Sequence, residues 1–436
     1  MEIAILCVGT HGDVRPFVAV GVELAKLGHN VRIISEAKAE AFCREWGLDF
    51  APIEWDLSSL ITDPTTFNNK RTVFEKIAFV RQLVNLLNSS LDRQFDVLKA
   101  LIKEVDVILY HSAIIAAYCL ADYFNETLKI PTYGLFLQTD IVTKFHAHCL
   151  FPPKLPFGRA GNYMSYLLTS LFFWMPIHKK INGWRKNHFG TFKINWLGPQ
   201  FTAAYFKKMP IFIGVSPTIV PHPPDWGQHV QMHGFCRLHA KEGWQPSEQL
   251  MEFLHKPTIY LGFGSLSVTC PRPILEKIME AIESSGQRAI ISAEFSGVQE
   301  MKLSSQFHVA SNVPHDWLFP KVAAIIHHGG AGTSAASFHA GKPTFILPFL
   351  LDQYHWGHRT HRLGVGPKPL PINKFNLKDF SHRLQDLVQN PAYRVQASSL
   401  AEKLACEDGA KKIADQIIAS TASRQGQADG NPVHAG

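Results

Sequence analysis

The chain predicts an α/β protein built as two doubly wound, Rossmann-like domains that face each other across a cleft. Three observations lead there. At 436 residues it exceeds what one ordinary core accommodates. Short apolar runs alternate with helix-forming segments through both halves. Each half also carries a Gly-rich turn directly after an apolar run, where a parallel sheet places its ligand loops.

In the first half, Ile3 to Val8 reads as a buried parallel strand. The loop Gly9 to Gly12 leads to a helix starting near Pro16 and ending at Gly28. Asn30 to Ser35, Val105 to Tyr110 and Pro131 to Leu137 are the further strands. The polar, Pro-rich stretch Pro221 to Pro246 marks the boundary, giving domains at 1–235 and 245–420. Second-half strands are Thr258 to Gly262, Ala289 to Ser292, Phe307 to Ala310, Ala323 to His327 and Thr344 to Pro348. The polar tail 421–436 is expected to be disordered.

Hydrophobic residues make up 46% and charged residues 18%, which excludes a disordered chain. A net charge of +7 is modest, and no nucleic-acid partner is expected. The mildly basic segment Lys179 to Lys193 reads as a solvated helix face or a surface near anionic lipid. Seven cysteines, odd in number and without a C-x-x-C pair, predict free thiols in a reducing, cytoplasmic setting. The N-terminus lacks a basic region and a cleavage site. Tyr163 to Ile177 is too short to span a bilayer, and lying against a membrane or an apolar ligand is left open.

The most informative stretch is His327 to Gln353, HHGGAGTSAASFHAGKPTFILPFLLDQ. As strand, turn, helix and strand, it aims backbone N–H groups and a helix dipole at one point, which suits a phosphate. Asp352 and Gln353 then close the crevice with groups that read hydroxyls. An ordinary strand-to-helix turn with Asp352 as a helix cap is the plainer alternative.

GTHGDVRPFVAVGVELAKLGHNV, VSPTIVPHPPDW, VPHDWLFP and HHGGAGTSAASFHAGKPTFILPFLLDQYHWGHRTHRLGVGP resemble segments of family 1 type UDP-glycosyltransferases of GT-B fold. The sterol 3-beta-glucosyltransferase-like branch is the nearest in pattern, up to about residue 420. The resemblance implies that His328, Gly330, Gly332 and Thr333 approach the diphosphate and that Asp352 and Gln353 orient the sugar. It places Val313 and His315 at the base and ribose, and Ser265 near the diphosphate. Asn312 stands where many plant relatives have a base-stacking tryptophan.

The same resemblance makes Asp13 the general base, with His11 the runner-up; alone, Asp13 would read as a helix cap. Relatives with a histidine base orient it with an acid about a hundred residues on, where this chain has His111, a candidate acceptor contact. The aromatic-rich span 145–210, including Tyr163, Phe173 and Trp174, is the expected acceptor side, shared with core packing. No D-x-D motif occurs, and the resemblance implies a metal-free, inverting displacement without a cofactor. The repeat His355, His358, His361 reads as a polar helix face rather than a metal site.

The expected partners are UDP-glucose and a hydrophobic acceptor, a sterol, terpenoid or lipid. Any membrane targeting is expected to be weak or intrinsic. Polyketide, flavonoid or hydroxy fatty acid acceptors are the enzyme alternative, and an inactive nucleotide-sugar or lipid-binding module is the non-enzyme one.

Overall fold

A computed structural model describes residues 1–53, 73–101, 104–151, 155–190, 193–202, 206–207, 209–241, 243–350 and 352–429. Two all-parallel sheets form its frame. The first has seven strands in the order β3-β2-β1-β4-β5-β6-β7. They are β1 (Glu2–Leu6), β2 (Asn30–Glu36), β3 (Asp49–Ile53), β4 (Val107–His111), β5 (Thr132–Phe136), β6 (Ile211–Ile213) and β7 (Val230–Met232). The second has five, β10-β9-β8-β11-β12, from β8 (Ile259–Gly262), β9 (Ala289–Ser292), β10 (Phe307–Ala310), β11 (Ala324–His327) and β12 (Thr344–Ile346). Strand order reverses between β1 and β4 and again between β8 and β11. Crevices therefore open at the carboxyl ends of those pairs.

Strand alternation explains how the first sheet is buried on both faces. Ala4, Leu6 and Val8 enter one apolar cluster with Tyr110 and Phe95. Ile3, Ile5 and Cys7 enter the other with Val14, Phe17 and Leu24. The latter three lie on the helix His11–Lys26, whose apolar positions recur at three- and four-residue spacing. This helix begins at His11, five residues before the expected start, because Thr10 and Asp13 form a capping box. Pro16 consequently lies inside it.

The C-terminal segment corrects two expectations. Helix Gly409–Asp429 packs on His11–Lys26 of the first domain rather than ending the second. Ala410, Ile413, Ala414 and Ile417 bury one stripe there. The stripe continues to Thr421, fully buried and 3.3 Å from the Tyr133 hydroxyl. Helix therefore persists through Asp429 where a disordered tail was expected; residues 430–436 lie outside the described part. Glu407, just before this helix, accepts hydrogen bonds from the Ser216 and Thr218 hydroxyls at 2.9 and 2.8 Å.

Among the described residues all seven cysteines are free thiols, six of them buried. No described helix is long and apolar enough to cross a membrane.

Candidate active site

The first-domain rim starts at β1. Asp13 Oδ2 accepts from the Thr10 amide at 2.7 Å and the Thr10 hydroxyl at 2.9 Å. The sequence left cap and base as alternatives; the structure shows the cap, held at the mouth of the cleft. Gly9 makes it possible: at φ +123°, a Cβ there would lie 2.5 Å from Asp13 Oδ2. His111 ends β4, with Nδ1 3.2 Å from the Val8 carbonyl. Burial lowers its pKa, while Asp13, then the Val8 carbonyl and Asp140, oppose that shift. His11 leans on Phe42 at 4.3 Å between ring centres, and desolvation followed by Arg15 pushes it towards neutrality.

Across the cleft, β11 delivers His327 and His328, and the helix Ala331–Ala340 starts with Gly330 as its cap. His327 Nδ1 accepts from the Gly329 amide at 3.0 Å. His328 is held neutral: burial, then His315, lower its pKa to about 3, and its Nδ1 is buried without a protein partner. A Cβ on Gly330 would meet His328 Nε2 at 2.5 Å, so the turn requires glycine there. Gly332 in the first helical turn faces open space, and Thr333 is half-buried beside it. Ser265 lies exposed just after β8.

His315 opens the short helix His315–Leu318, stacked on Phe319 at 4.3 Å and 15°. Burial, then Arg15 from the first domain, push its pKa down to about 4. Val313 is half-buried just before it, and Asn312 is exposed.

Asp352 precedes the helix Gln353–Arg362, yet its side chain makes no cap hydrogen bond. Its Oδ2 accepts from Gln138 Nε2 of the first domain at 2.5 Å and from Trp356 Nε1 at 3.2 Å. Burial, then Asp13 and Asp140, push the Asp352 carboxyl up to about 7. Gln353 is turned differently. Its Oε1 accepts from the Phe349 and Leu350 amides at 2.8 and 3.2 Å, fixing the loop after β12 and leaving its NH2 group as donor.

Gln138 and Asp140 were missed from the sequence. The available signal was their place just past β5, at the carboxyl end of a parallel strand. Asp140 accepts from the Cys149 thiol at 2.8 Å and lies 3.8 Å from His148 Nε2. These three are the one group of metal-type ligands among the described residues. They fit a hydrogen-bond cluster better than an ion site. His148 Nδ1 accepts the Leu150 amide at 3.2 Å, so its single proton sits on Nε2, facing Asp140. His355 is buried and His358 exposed, and with His361 they do not converge.

On the acceptor side the expectations divide. Trp174 is a core residue: it is 8% exposed, donates from Nε1 to the Asn195 carbonyl at 3.2 Å and joins the first-domain cluster. Tyr163 packs on Phe201 at 6.1 Å, and Phe173 is half-buried. Phe157 and Phe172 turn outward. Tyr205 and residues 152–154 of the Pro-rich loop lie outside the described residues. Trp184 stacks on Phe95 at 3.8 Å and Phe189 on Tyr123 at 4.6 Å, so neither ring is offered to a base.

Two Rossmann-like sheets with a Gly-rich, helix-capped loop facing an acid across a cleft define a GT-B glycosyltransferase. Two family models match, Glycosyltransferase family 28 N-terminal domain over residues 3–109 and Erythromycin biosynthesis protein CIII-like, C-terminal domain over 277–420. The chain is 35% identical over 94% of its length to Sterol 3-beta-glucosyltransferase UGT80A2 of Arabidopsis thaliana, covering 64% of that protein. It is 31% identical over 95% to UGT80B1 of the same plant, covering 67%. An Aspergillus fumigatus sterol 3-beta-glucosyltransferase matches at 30% over 94%, with 29% of its length covered. The chain thus spans from under a third to about two thirds of these relatives. It belongs to the sterol 3-beta-glucosyltransferase-like branch of the GT-B glycosyltransferases.

Solved structures agree on the fold. The kitacinnamycin glycotransferase superposes with a TM-score of 0.70 at 16% identity, covering 96% of this chain and 98% of its own. The glycosyltransferase VinC in complex with DTDP superposes at 0.68 and 14%, covering 97% and 100%.

Proposed function

We propose that the protein transfers glucose from UDP-glucose to the hydroxyl of a sterol, with inversion at the anomeric carbon and without a metal ion. The observation that carries this reading is the hydrogen bond from Gln138 Nε2 to Asp352 Oδ2 at 2.5 Å, which joins the strand-end rim of the first domain to the carboxylate that would read the sugar. The names of the curated relatives support sterol and glucose, and VinC with DTDP supports a nucleoside diphosphate in this fold.

In the reaction, the acceptor oxygen attacks the anomeric carbon as the bond from that carbon to the UDP oxygen breaks. The acceptor proton passes to the Asp13 carboxylate, and UDP departs as the anion. The free amides at the start of helix Ala331–Ala340 and a neutral His328 donate to the diphosphate and offset its charge. Asp352 exchanges its Gln138 partner for sugar hydroxyls. His111, held at the end of β4 by the Val8 carbonyl at 3.2 Å, lines the same rim as the base.

The test is UDP release and product mass with UDP-glucose and a cyclodextrin-delivered sterol, beside other sugar nucleotides and acceptors. Sterol glucoside formed in the presence of a strong chelator is the expected result. Tight sterol binding without turnover of any acceptor would replace transfer with a binding role.

A further inference from the structure

The net charge of this chain is not spread over it. Between Ile141 and Pro224 lie ten of the 43 lysines and arginines and none of the 36 acidic residues. The remainder is formally −3 in a chain of +7. Among the described residues of that segment, Arg185 pairs with Asp122 at 2.7 Å and Lys180 with Asp92 at 2.8 Å. Lys144, Arg159, Lys179, Lys186, Lys193 and Lys207 are exposed.

The same segment holds the main exposed apolar surface among the described residues. On and beside helix Gly158–Phe173, Phe157 is 87% exposed, Phe172 54%, Met164 53%, Met175 44% and Leu168 37%. At 100° per residue Met164, Leu168 and Phe172 fall within about 80° of arc on the helix, and Phe157 and Met175 flank its two ends. A stripe this continuous is a contact surface rather than scattered residues. The opposite side of the helix faces the cleft loop. Ser165 Oγ accepts from the His148 amide at 2.8 Å, and the Tyr166 hydroxyl bonds the Thr139 carbonyl at 3.3 Å. That loop also holds Gln138 and Asp140.

We infer that helix Gly158–Phe173 lays its outer stripe into an anionic lipid bilayer, with the acid-free segment 141–224 supplying the electrostatic attraction. An exposed apolar strip within a segment that carries lysines and arginines and no acid suits the headgroup boundary of a negative leaflet. The occupant follows from charge: a second copy of this chain would bring the same positive segment against itself, whereas phosphatidylserine neutralises it. An acceptor dissolved in that leaflet would then lie one helix diameter from the cleft loop. This last clause rests on the proposed function; the docking does not.

The test is co-sedimentation of the full chain with phosphatidylcholine vesicles, with and without 30% phosphatidylserine. Binding should be at least tenfold tighter with phosphatidylserine and should weaken as salt rises. Phe157→Glu/Met164→Glu should lose at least tenfold in vesicle affinity, Phe157→Trp should retain it, and melting should be unchanged. Turnover of cyclodextrin-delivered sterol, which bypasses the bilayer, should be unaffected, so its failure would strike the proposed function alone. Equal binding to neutral vesicles, undiminished binding by the double variant, or a dimer that the double variant dissociates would each overturn the inference.

Discussion

On the proposed function, the two walls of the cleft recognise by different means. The wall proposed for the donor is mostly main chain: the Gly330 cap and the amides of the first helical turn, with two histidines that burial keeps neutral. The wall proposed for the acceptor is side chain: Asp13 in the first turn after β1, His111 at the end of β4, and Gln138 and Asp140 just past β5, each paired to a neighbour. A backbone site needs little more than glycines and a helix start, so it reads as a contiguous motif. A side-chain site is assembled from residues more than a hundred positions apart, and only the fold brings them together.

The largest expected effect breaks the acceptor wall while sparing the donor wall. Asp13→Asn keeps an oxygen to accept from Thr10, so the helix cap survives, but the base is gone. Turnover should fall about 10²–10⁴-fold, with UDP affinity unchanged by calorimetry and melting within a few degrees of the parent. Activity within tenfold would reduce Asp13 to its capping role. The mirror experiment is Gly332→Ala. A Cβ there meets nothing in the ligand-free protein, and alanine favours helix, so stability should hold or rise. The diphosphate should lose its close approach, and UDP binding should weaken on the order of tenfold. Unchanged UDP affinity would move the phosphate elsewhere.

The same contrast governs what was legible in the sequence. Nine strands were readable: β1, β2, β4, β5, β8, β9, β11 and β12 are largely apolar, mostly buried runs, and the half-buried edge strand β10 still carries Phe307 and Val309 in alternation. β3 was not: it contains Asp49 and Pro52, tolerable because β3 is an edge strand. β6 and β7 are three residues each, and β7 sits inside the Pro-rich stretch read as a boundary. The His328 loop was visible as a motif. Gln138 was not, because nothing local distinguishes a glutamine that crosses to Asp352 from one facing water. Trp174 misled for the converse reason: aromatic density cannot tell a core ring from a pocket ring.

A smaller effect concerns pH. With its carboxyl pushed up to about 7 from an ordinary 3.8, Asp352 binds its proton more tightly folded than unfolded. Its contribution to stability is full below about pH 4 and is lost as pH rises through 7. The melting temperature of the ligand-free protein should therefore fall more between about pH 5 and pH 8 than that of Asp352→Asn. Parallel curves would show that burial, with Asp13 and Asp140, does not raise this carboxyl.

The smallest change is at the contact joining the two walls. Gln138 donates to Asp352 at 2.5 Å, so on the proposed function UDP-glucose exchanges that amide for sugar hydroxyls. The exchange is nearly balanced, since one charge-assisted hydrogen bond replaces another. Gln138→Ala removes the competitor, and the KM for UDP-glucose should fall about twofold to threefold with kcat unchanged. If KM instead rises while kcat falls, Gln138 holds the sugar itself, and the acceptor wall takes part in donor recognition.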